Sequence, residues 1–156
     1  MAKQSAAAVQ RNDPYGNYNY LVNLGTGDPQ SLQAGFSEVV LPDVSIDVIE
    51  YRNGNERVSE TRKLPGRAHY GNVTLRRGVI GTLDLYQWLD QVRNGDRNAF
   101  RNVTISLQNE DRTNTVLTWK FRRAWPVRYS FSTLQAKGKD VLVESLELAF
   151  DRMEME

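Results

Sequence analysis

The chain has 156 residues, enough for one domain with a single core. Its 20 lysine and arginine residues nearly balance 19 aspartate and glutamate residues, and the formal net charge of +1 excludes attraction of nucleic acid or an anionic membrane by bulk charge. Because the chain has no cysteine, disulfide bonds and thiolate metal sites are excluded as well.

The N-terminal segment, residues 1–12, is small and polar, and we expect it to be flexible. It lacks the continuous apolar stretch of a secretory signal, and no later window approaches membrane-spanning length. We therefore expect synthesis in the cytoplasm without signal-peptide export.

Three strands are predicted in the first third of the chain. Between Tyr18 and Leu24, apolar residues at alternate positions give the period of a half-buried strand. Apolar runs over 36–41 and from Val44 onward, the latter with Ile46 and Val48 on one face, predict two further ordinary sheet strands.

Residues 50–63 form the least core-like segment, because only Tyr51 and Val58 are sizeable apolar residues there. The pair Asn53-Gly54 favours a tight turn with positive φ at both central positions. The pattern predicts a long polar hairpin that projects from the body, with a flexible surface loop as the alternative. The sequence Leu64-Pro65-Gly66 then predicts a second turn.

A helix is predicted over 82–94, after a short strand from Val73 to Gly78. Thr82 or Gly81 is the candidate N-cap, and Asn94-Gly95 is a stop signal. Its apolar face has the i, i+3, i+4, i+7 spacing and is formed by Leu85, Trp88, Leu89 and Val92.

The remaining chain predicts more strands, giving seven or eight around one core. Alternation over 103–107 and 117–121 indicates an antiparallel hairpin with a turn at 109–114. Alternation continues past Pro126, which suggests an edge or a bend, and a last strand spans 142–150. We expect the carboxylates of the acidic tail over 151–156 to be solvated. We expect Trp119, Phe121 and Trp125 to join the helix in the core.

Two charged features stand out in these strands. Arg76 and Arg77 are adjacent, so they face opposite sides of a strand and do not make a joint phosphate site. Glu144 falls in phase with apolar residues of the last strand, and a solvated or paired structural role is favoured over catalysis.

The sequence lacks the histidine-dependent nucleophile motif and the glycine-rich nucleotide motifs, whereas its many carboxylates leave a paired acid and base of the glycosidase kind open. His69 is the only histidine, and no Gly-x-Ser-x-Gly motif accompanies it. The glycines around 25–27 and 78–81 lack the lysine of a P-loop and the spacing of a dinucleotide site. We therefore predict a structural, non-enzymatic subunit with no catalytic residue, no metal site and no cofactor.

One cluster offers an alternative function. Basic and aromatic residues between Trp119 and Tyr129 could form the groove of a nucleic-acid-binding β-barrel. Core packing is the favoured interpretation, because Trp119 and Phe121 share the phase of the core face and the net charge is close to zero.

Several stretches resemble the tail-tube proteins of contractile phages and the inner-tube proteins of phage-tail-like extracellular contractile injection systems, which are relatives of the type VI secretion tube protein. The resemblance covers most of the chain. It rests on Asp13-Pro14-Tyr15, Asn17 to Val22, Ala34 to Val39, Val48 to Gly54, Arg62 to Gly66, Tyr70 to Gly78, the helix from Leu85 to Trp88, Ala124 to Val127 and Glu144 to Phe150.

This resemblance implies two packed antiparallel sheets in a small barrel-like sandwich, with one flanking helix and a long protruding hairpin. It further implies that six copies close into a ring, and that rings stack into a tube whose lumen passes an effector or DNA. The implied partners are a contractile sheath, baseplate and tube-cap proteins, in a particle expelled toward a target cell. A secreted ring that carries effectors, as in the type VI relative, is the alternative.

By position, residues 50–63 would be the arm that contacts the adjoining ring. The arm residues expected to fix this contact are Glu50, Tyr51, Arg52, Asn53, Gly54, Asn55, Glu56, Arg57, Glu60, Arg62 and Lys63. A polar arm suits this role, since hydrogen bonds and ion pairs set register while repetition around a ring supplies strength.

Overall fold

The computed structural model describes residues 12–25, 35–55, 57 and 60–156. The predicted mainly β fold with one helix is confirmed in this part of the chain. The elements in chain order are β1 (Tyr20–Asn23), β2 (Glu38–Val40), β3 (Val44–Tyr51), β4 (Arg62–Tyr70), β5 (Val73–Gly78), α1 (Asp84–Arg93), β6 (Arg101–Gln108), β7 (Thr115–Phe131), β8 (Val143–Ala149) and β9 (Arg152–Met155).

Seven strands form one antiparallel sheet, in the order β1-β6-β7-β8-β5-β2, with β9 also paired to β7. The 17-residue strand β7 divides it, since its first half pairs with β6 and β9 and its second half with β8. The described path ends at β1 and β2 without closing into a barrel. Among the described residues, strands β3 and β4 pair only with each other, as a second, two-stranded sheet.

The core lies between the two halves of the main sheet and α1. In β5 and β8 every second side chain is buried, as the alternation predicts. In α1, Leu85 and Trp88 are buried, and Trp88 Nε1 donates a 2.7 Å hydrogen bond to the carbonyl of Ala99. Leu89 and Val92 are half-buried, and the helix ends before Gly95, whose φ of 80° suits a glycine after the C-cap.

The first helical turn differs from the expected cap. Leu83 occupies the N-cap position without a side-chain hydrogen bond. The Thr82 hydroxyl instead donates to Asp84 at 2.7 Å. Thr82 is therefore one residue too early to cap the helix and is engaged by the acidic residue of the first turn.

The turn predicted at Leu64-Pro65-Gly66 is wrong, because these residues lie inside β4. Proline fits there because β4 has a single partner, so its outer backbone edge needs no ladder hydrogen bond. The strand predicted from Val44 is present as β3, but it is not an ordinary core strand, since all eight of its residues are exposed.

The C-terminal tail, whose carboxylates we expected to be solvated, forms strand β9. β9 pairs with β7, with Met153 opposite Phe121 and packed against the core. The carboxylates stay outside and pair with β7, Glu154 with Arg122 at 3.1 Å and Glu156 with Lys120 at 2.7 Å. Alternation of methionine with charge therefore makes this acidic segment a strand.

A backbone irregularity changes the phase of β7. Arg123 has a φ of 54°, a left-handed conformation that is uncommon for a non-glycine residue. Burial accordingly passes from Phe121 to Ala124 and Pro126 rather than following strict alternation. Trp125, expected in the core, is only half-buried, whereas Trp119 packs against the buried cluster.

Candidate interaction surface

The hairpin β3–β4, residues 44–70, carries unusual exposed apolar surface. Its large apolar side chains are between 46% and 63% exposed. They are Val44, Ile46, Val48, Ile49, Tyr51 and Leu64. A two-stranded hairpin is at best marginally stable alone in water, and clustered exposed apolar side chains commonly mark an interaction site.

The register distributes these residues over both faces of the hairpin. One face carries Val44, Ile46 and Val48, opposite Tyr70, Ala68 and Pro65 in turn. The other face places Ile49 opposite Leu64 and Tyr51 opposite Arg62. Since the main sheet buries neither face of β3, both are available to another chain.

A bulge shapes the middle of the hairpin. Between the pairs Ile46↔Ala68 and Val48↔Pro65, β4 has one residue more than β3. A Cβ at Gly66 would lie 3.0 Å from the Cβ of Asp47 and 3.1 Å from its carbonyl oxygen. Glycine at position 66 therefore allows the strands to approach where the ladder changes register.

The base of the hairpin is fixed to the body. The amide of Gly71 donates to the carbonyl of Asp43 at 3.0 Å, joining the two ends of the hairpin. The rings of Tyr70 and Phe150 lie 5.4 Å apart, and Phe150 contacts Phe121 at 4.8 Å between centroids. A chain of aromatic contacts thus leads from the buried core to the hairpin base.

The predicted arm, residues 50–63, is the outer part of this longer hairpin. Glu50 and Tyr51 end β3, and Arg62 and Lys63 begin β4, with Glu50 opposite Lys63. The connection between them contains Arg52, Asn53, Gly54, Asn55, Arg57 and Glu60. Of these only Asn53 is half-buried, its amide oxygen accepting a hydrogen bond from the Tyr51 hydroxyl, and Glu56 lies outside the described residues.

His69 lies on this hairpin, in β4. Its Nε2 is 2.7 Å from an Asp47 carboxylate oxygen, and both side chains are 57% exposed. The pair crosses from β4 to β3 near the bulge. Its position makes it part of the hairpin surface.

A buried cluster of charged side chains links β5 and β8 of the main sheet to the first turn of α1. Arg77 is 1% exposed and donates to Glu144 on β8, which is 2% exposed. Arg77 also pairs with Asp84 in the first turn of α1 and donates to Thr82 at 3.2 Å. The Tyr129 hydroxyl donates to the remaining oxygen of Glu144.

Contacts within the cluster favour the charged forms of Asp84 and Arg77 and the neutral form of Tyr129. Burial alone would raise the pKa of Asp84, but hydrogen bonds from Arg77 and Thr82 outweigh burial and hold it below its usual value. Burial would likewise lower the pKa of Arg77, yet its carboxylate partners raise it. Burial and the Glu144 contact raise the pKa of Tyr129, so its hydroxyl stays protonated.

Glu144 has a paired structural role, because its carboxylate accepts hydrogen bonds from Arg77 and Tyr129. Arg77 and Glu144 stand directly opposite each other in the β5–β8 register. The sequence carried a signal for this, since each charge falls in phase with apolar residues of its own strand. Two opposite charges that break alternation on two strands predict a buried pair.

The proposed nucleic-acid groove is largely engaged by the protein itself. Arg122 pairs with Glu154, and Arg123 lies 3.5 Å from Asp151 and 4.1 Å from the Phe100 ring centroid. Trp119 packs against the core. Ion pairs and packing therefore account for much of this cluster.

Within the described residues, no helix has the length and apolar character needed to span a membrane. The same residues contain no group of three or more histidine, aspartate or glutamate side chains placed to hold a metal ion.

Comparisons with known proteins agree with one another. The family model described as T4-like virus tail tube protein gp19 matches residues 16–154. A chain from the cryo-EM structure of an extracellular contractile injection system, the PVC sheath–tube complex in its extended state, is 31% identical with a TM-score of 0.79, covering 93% of each chain. A chain from the anti-feeding prophage baseplate, 6-fold symmetrised, is 28% identical with a TM-score of 0.78, covering 94% of this chain and 97% of that one.

A more distant likeness is to Hcp1 from Flavobacterium johnsoniae. It is 16% identical with a TM-score of 0.52, covering 88% of this chain and 94% of that one, which shows a shared fold alone. A search of curated proteins found no match.

Proposed function

Because the chain belongs to the T4-like virus tail tube protein family, we propose that it is a structural subunit of the inner tube of a contractile, phage-tail-like injection particle. It acts by assembly rather than by catalysis. Six copies form a ring, and rings stack into a tube with a central lumen. The 6-fold symmetry of the anti-feeding prophage baseplate supports this number of copies.

The observation that carries this proposal is the hairpin β3–β4 with apolar side chains exposed on both faces. A monomer gains little by displaying this surface, whereas a tube covers it on every subunit. Each contact can be weak, because a ring repeats it around the axis and the contacts act together. Polar residues of the arm, among them Glu50, Arg62 and Lys63, would fix the register between copies.

The partners follow from the place of such a tube in its particle. A contractile sheath surrounds the tube, a baseplate starts it and a cap protein ends it. The lumen passes an effector or DNA. The subunit would be made and assembled in the cytoplasm of the producing cell, and contraction would then expel the tube toward a target cell.

Electron microscopy tests this proposal directly. The protein is purified alone and after coexpression with its baseplate and sheath proteins, and negatively stained particles are measured. We expect rings or tubes of uniform bore in at least one preparation. Monomers alone in both would count decisively against a tube subunit.

The alternative is a secreted ring that carries effectors in its lumen. It has weaker support, because the likeness to Hcp1 from Flavobacterium johnsoniae is confined to the fold. A free ring that stays short at high protein concentration and protects a bound effector from protease would favour it. Tubes that lengthen on a baseplate would favour the inner tube.

A further inference from the structure

A row of side chains crosses one half of the main sheet from edge to edge. This half consists of β2, β5, β8 and residues 125–131 of β7. The ring centroid of Phe36, just before β2, lies 5.5 Å from the guanidinium carbon of Arg77 on β5. Arg77 donates to Glu144 on β8, which also accepts from the Tyr129 hydroxyl on β7. We call these four side chains the transverse row.

The transverse row is enclosed by the protein on both ends and from the side of α1. Phe36, Arg77 and Glu144 are buried, and Tyr129 is half-buried and packed against the core. Asp84, in the first turn of α1, pairs with the Arg77 guanidinium from the helix side. Neighbouring strands lie about 4.8 Å apart, so the row spans about 14 Å between β2 and β7.

Directional contacts distinguish the transverse row from the rest of this core face. The other buried side chains of β5 and β8 that share its face are apolar, namely Val73, Leu75, Leu146 and Leu148. Apolar packing of this kind tolerates small shifts between strands. A buried ion pair adds little net stability over apolar residues of similar volume, but its hydrogen bonds have defined lengths and directions. We therefore expect the row to fix the arrangement of the four strands more than it stabilises them.

The strands at the two ends of the row have free sheet edges. In the described part of the chain, β2 pairs with β5 alone, and residues 125–131 of β7 pair with β8 alone. The unpaired N–H and C=O groups of an edge strand can pair with a strand of another chain. Each copy in a closed ring meets its two neighbours through two different surfaces, and these edges are two such surfaces.

We propose that the transverse row sets the angle between these two edges and thereby the number of copies that close a ring. The inference rests on the proposed tube function and assigns positioning residues to it. In a ring of six, each copy must turn the line of sheets by one sixth of a circle. A changed angle closes a ring of another size or leaves an open arc. The hydrogen bonds of Arg77, Glu144 and Tyr129 hold this angle where apolar packing alone would let it vary.

Replacing the row by apolar side chains tests the proposal. Arg77→Met, Glu144→Leu and Tyr129→Phe are combined, so that no charge of the row is left buried without its partner. Asp84 keeps its 2.7 Å hydrogen bond from Thr82, and its side chain is 30% exposed. We expect a urea midpoint equal to or above that of the parent protein, and a several-fold smaller fraction of closed six-copy rings. Rings of other sizes and open arcs should replace them, as counted by native mass spectrometry and in end-on views by negative-stain electron microscopy.

The matched control is Leu75→Met with Leu146→Met, which repacks the same core face without touching a directional contact. We expect the control to form six-copy rings like the parent. Equal broadening of the copy number in the control would overturn the inference, since any repacking would then suffice. Six-copy rings alone from the row variant, even at lower yield, would also overturn it, because a merely structural role changes yield and not copy number. Folded monomers without rings or arcs would count in the same way.

Tyr129→Phe is the second variant and decides the question if circular dichroism shows that the combined variant does not fold. It removes one hydrogen bond next to the free edge of β7 and keeps the pair of Arg77 with Glu144. We expect a smaller increase in rings of other sizes. Six-copy rings from the parent and from every folded row variant would remove this inference alone, whereas a parent protein that forms neither rings nor tubes would remove the tube function itself.

Discussion

Strands β5 and β3 share the same alternating pattern, but the apolar side chains of β5 are buried and those of β3 are exposed. Val73 and Leu75 of β5 are fully buried, whereas Val44, Ile46 and Val48 of β3 are about half exposed. In the described part of the chain, β5 has partner strands on both sides, whereas β3 pairs with β4 alone. Period-two alternation therefore predicts that a strand has one apolar face, but what covers this face depends on the rest of the fold, or on another chain.

Matched leucine truncations should separate the two regions most clearly. Leu75→Ala opens a cavity in the core and should lower the free energy of unfolding of the dissociated subunit by about 2–5 kcal/mol. Leu64→Ala, on the hairpin, should change it by about 0.5 kcal/mol or less, yet reduce tube formation. Denaturant unfolding and electron microscopy measure the two effects; equal losses of stability would abolish the distinction.

Removing one charge from the buried cluster should have the next largest effect. Glu144→Gln leaves Arg77 buried with a weaker partner, and we expect a loss of about 3 kcal/mol in the free energy of unfolding. The control is Glu147→Gln on the same strand, which faces outward and accepts a 2.8 Å hydrogen bond from Asn72. Thermal unfolding of both variants measures the two losses of stability. A control as unstable as Glu144→Gln would show that burial of the charge pair does not cause the loss.

Adding one methyl group to the hairpin should have a smaller, local effect. Gly66→Ala would crowd Asp47 and lower the free energy of opening the hairpin by about 1 kcal/mol. Gly54→Ala is the control, because open space surrounds that position. Hydrogen exchange of the β3 and β4 amides should be faster in the first variant alone, and unchanged exchange would argue that the strands can shift to admit the methyl group.

The smallest expected effect is on acid stability. The pKa of Asp84 lies below its unfolded value of about 3.9, so its stabilising contribution is complete above that pH and is lost as pH falls through the folded pKa. Asp84→Asn should therefore flatten the decline in urea midpoint between about pH 5 and pH 3. Parallel declines in the two proteins would show that Asp84 does not contribute.

The sequence predicts those features that depend on local periodicity. The face of α1 and the buried positions of β5 and β6 follow from spacing alone. Trp125 does not, because the left-handed backbone at Arg123 changes the phase of β7. Positive φ can be expected from the sequence at glycine or asparagine, but not at an arginine such as Arg123.

The candidate site was only partly accessible from the sequence. Low apolar content located the outer hairpin, but Leu64-Pro65-Gly66 resembled a turn, because the bulge opposite Asp47 cannot be read from residue types. Exposure of Ile46 depends on the absence of a covering layer in the described fold, which no local pattern encodes. The exposed apolar residues Leu134 and Val141 were also missed, because they lie in the β7–β8 connection, which has no periodicity.

The local character of the hairpin has a consequence for folding. Residues 52–61 alone separate β3 from β4, whereas β5 must find β8, and β1 must find β6, across much of the chain. Short-range hairpins form in about 1–10 μs, and pairing between distant segments is slower. The strands β3 and β4 can therefore pair transiently before the core closes, and their exposed apolar side chains are then a place where newly made chains can associate prematurely.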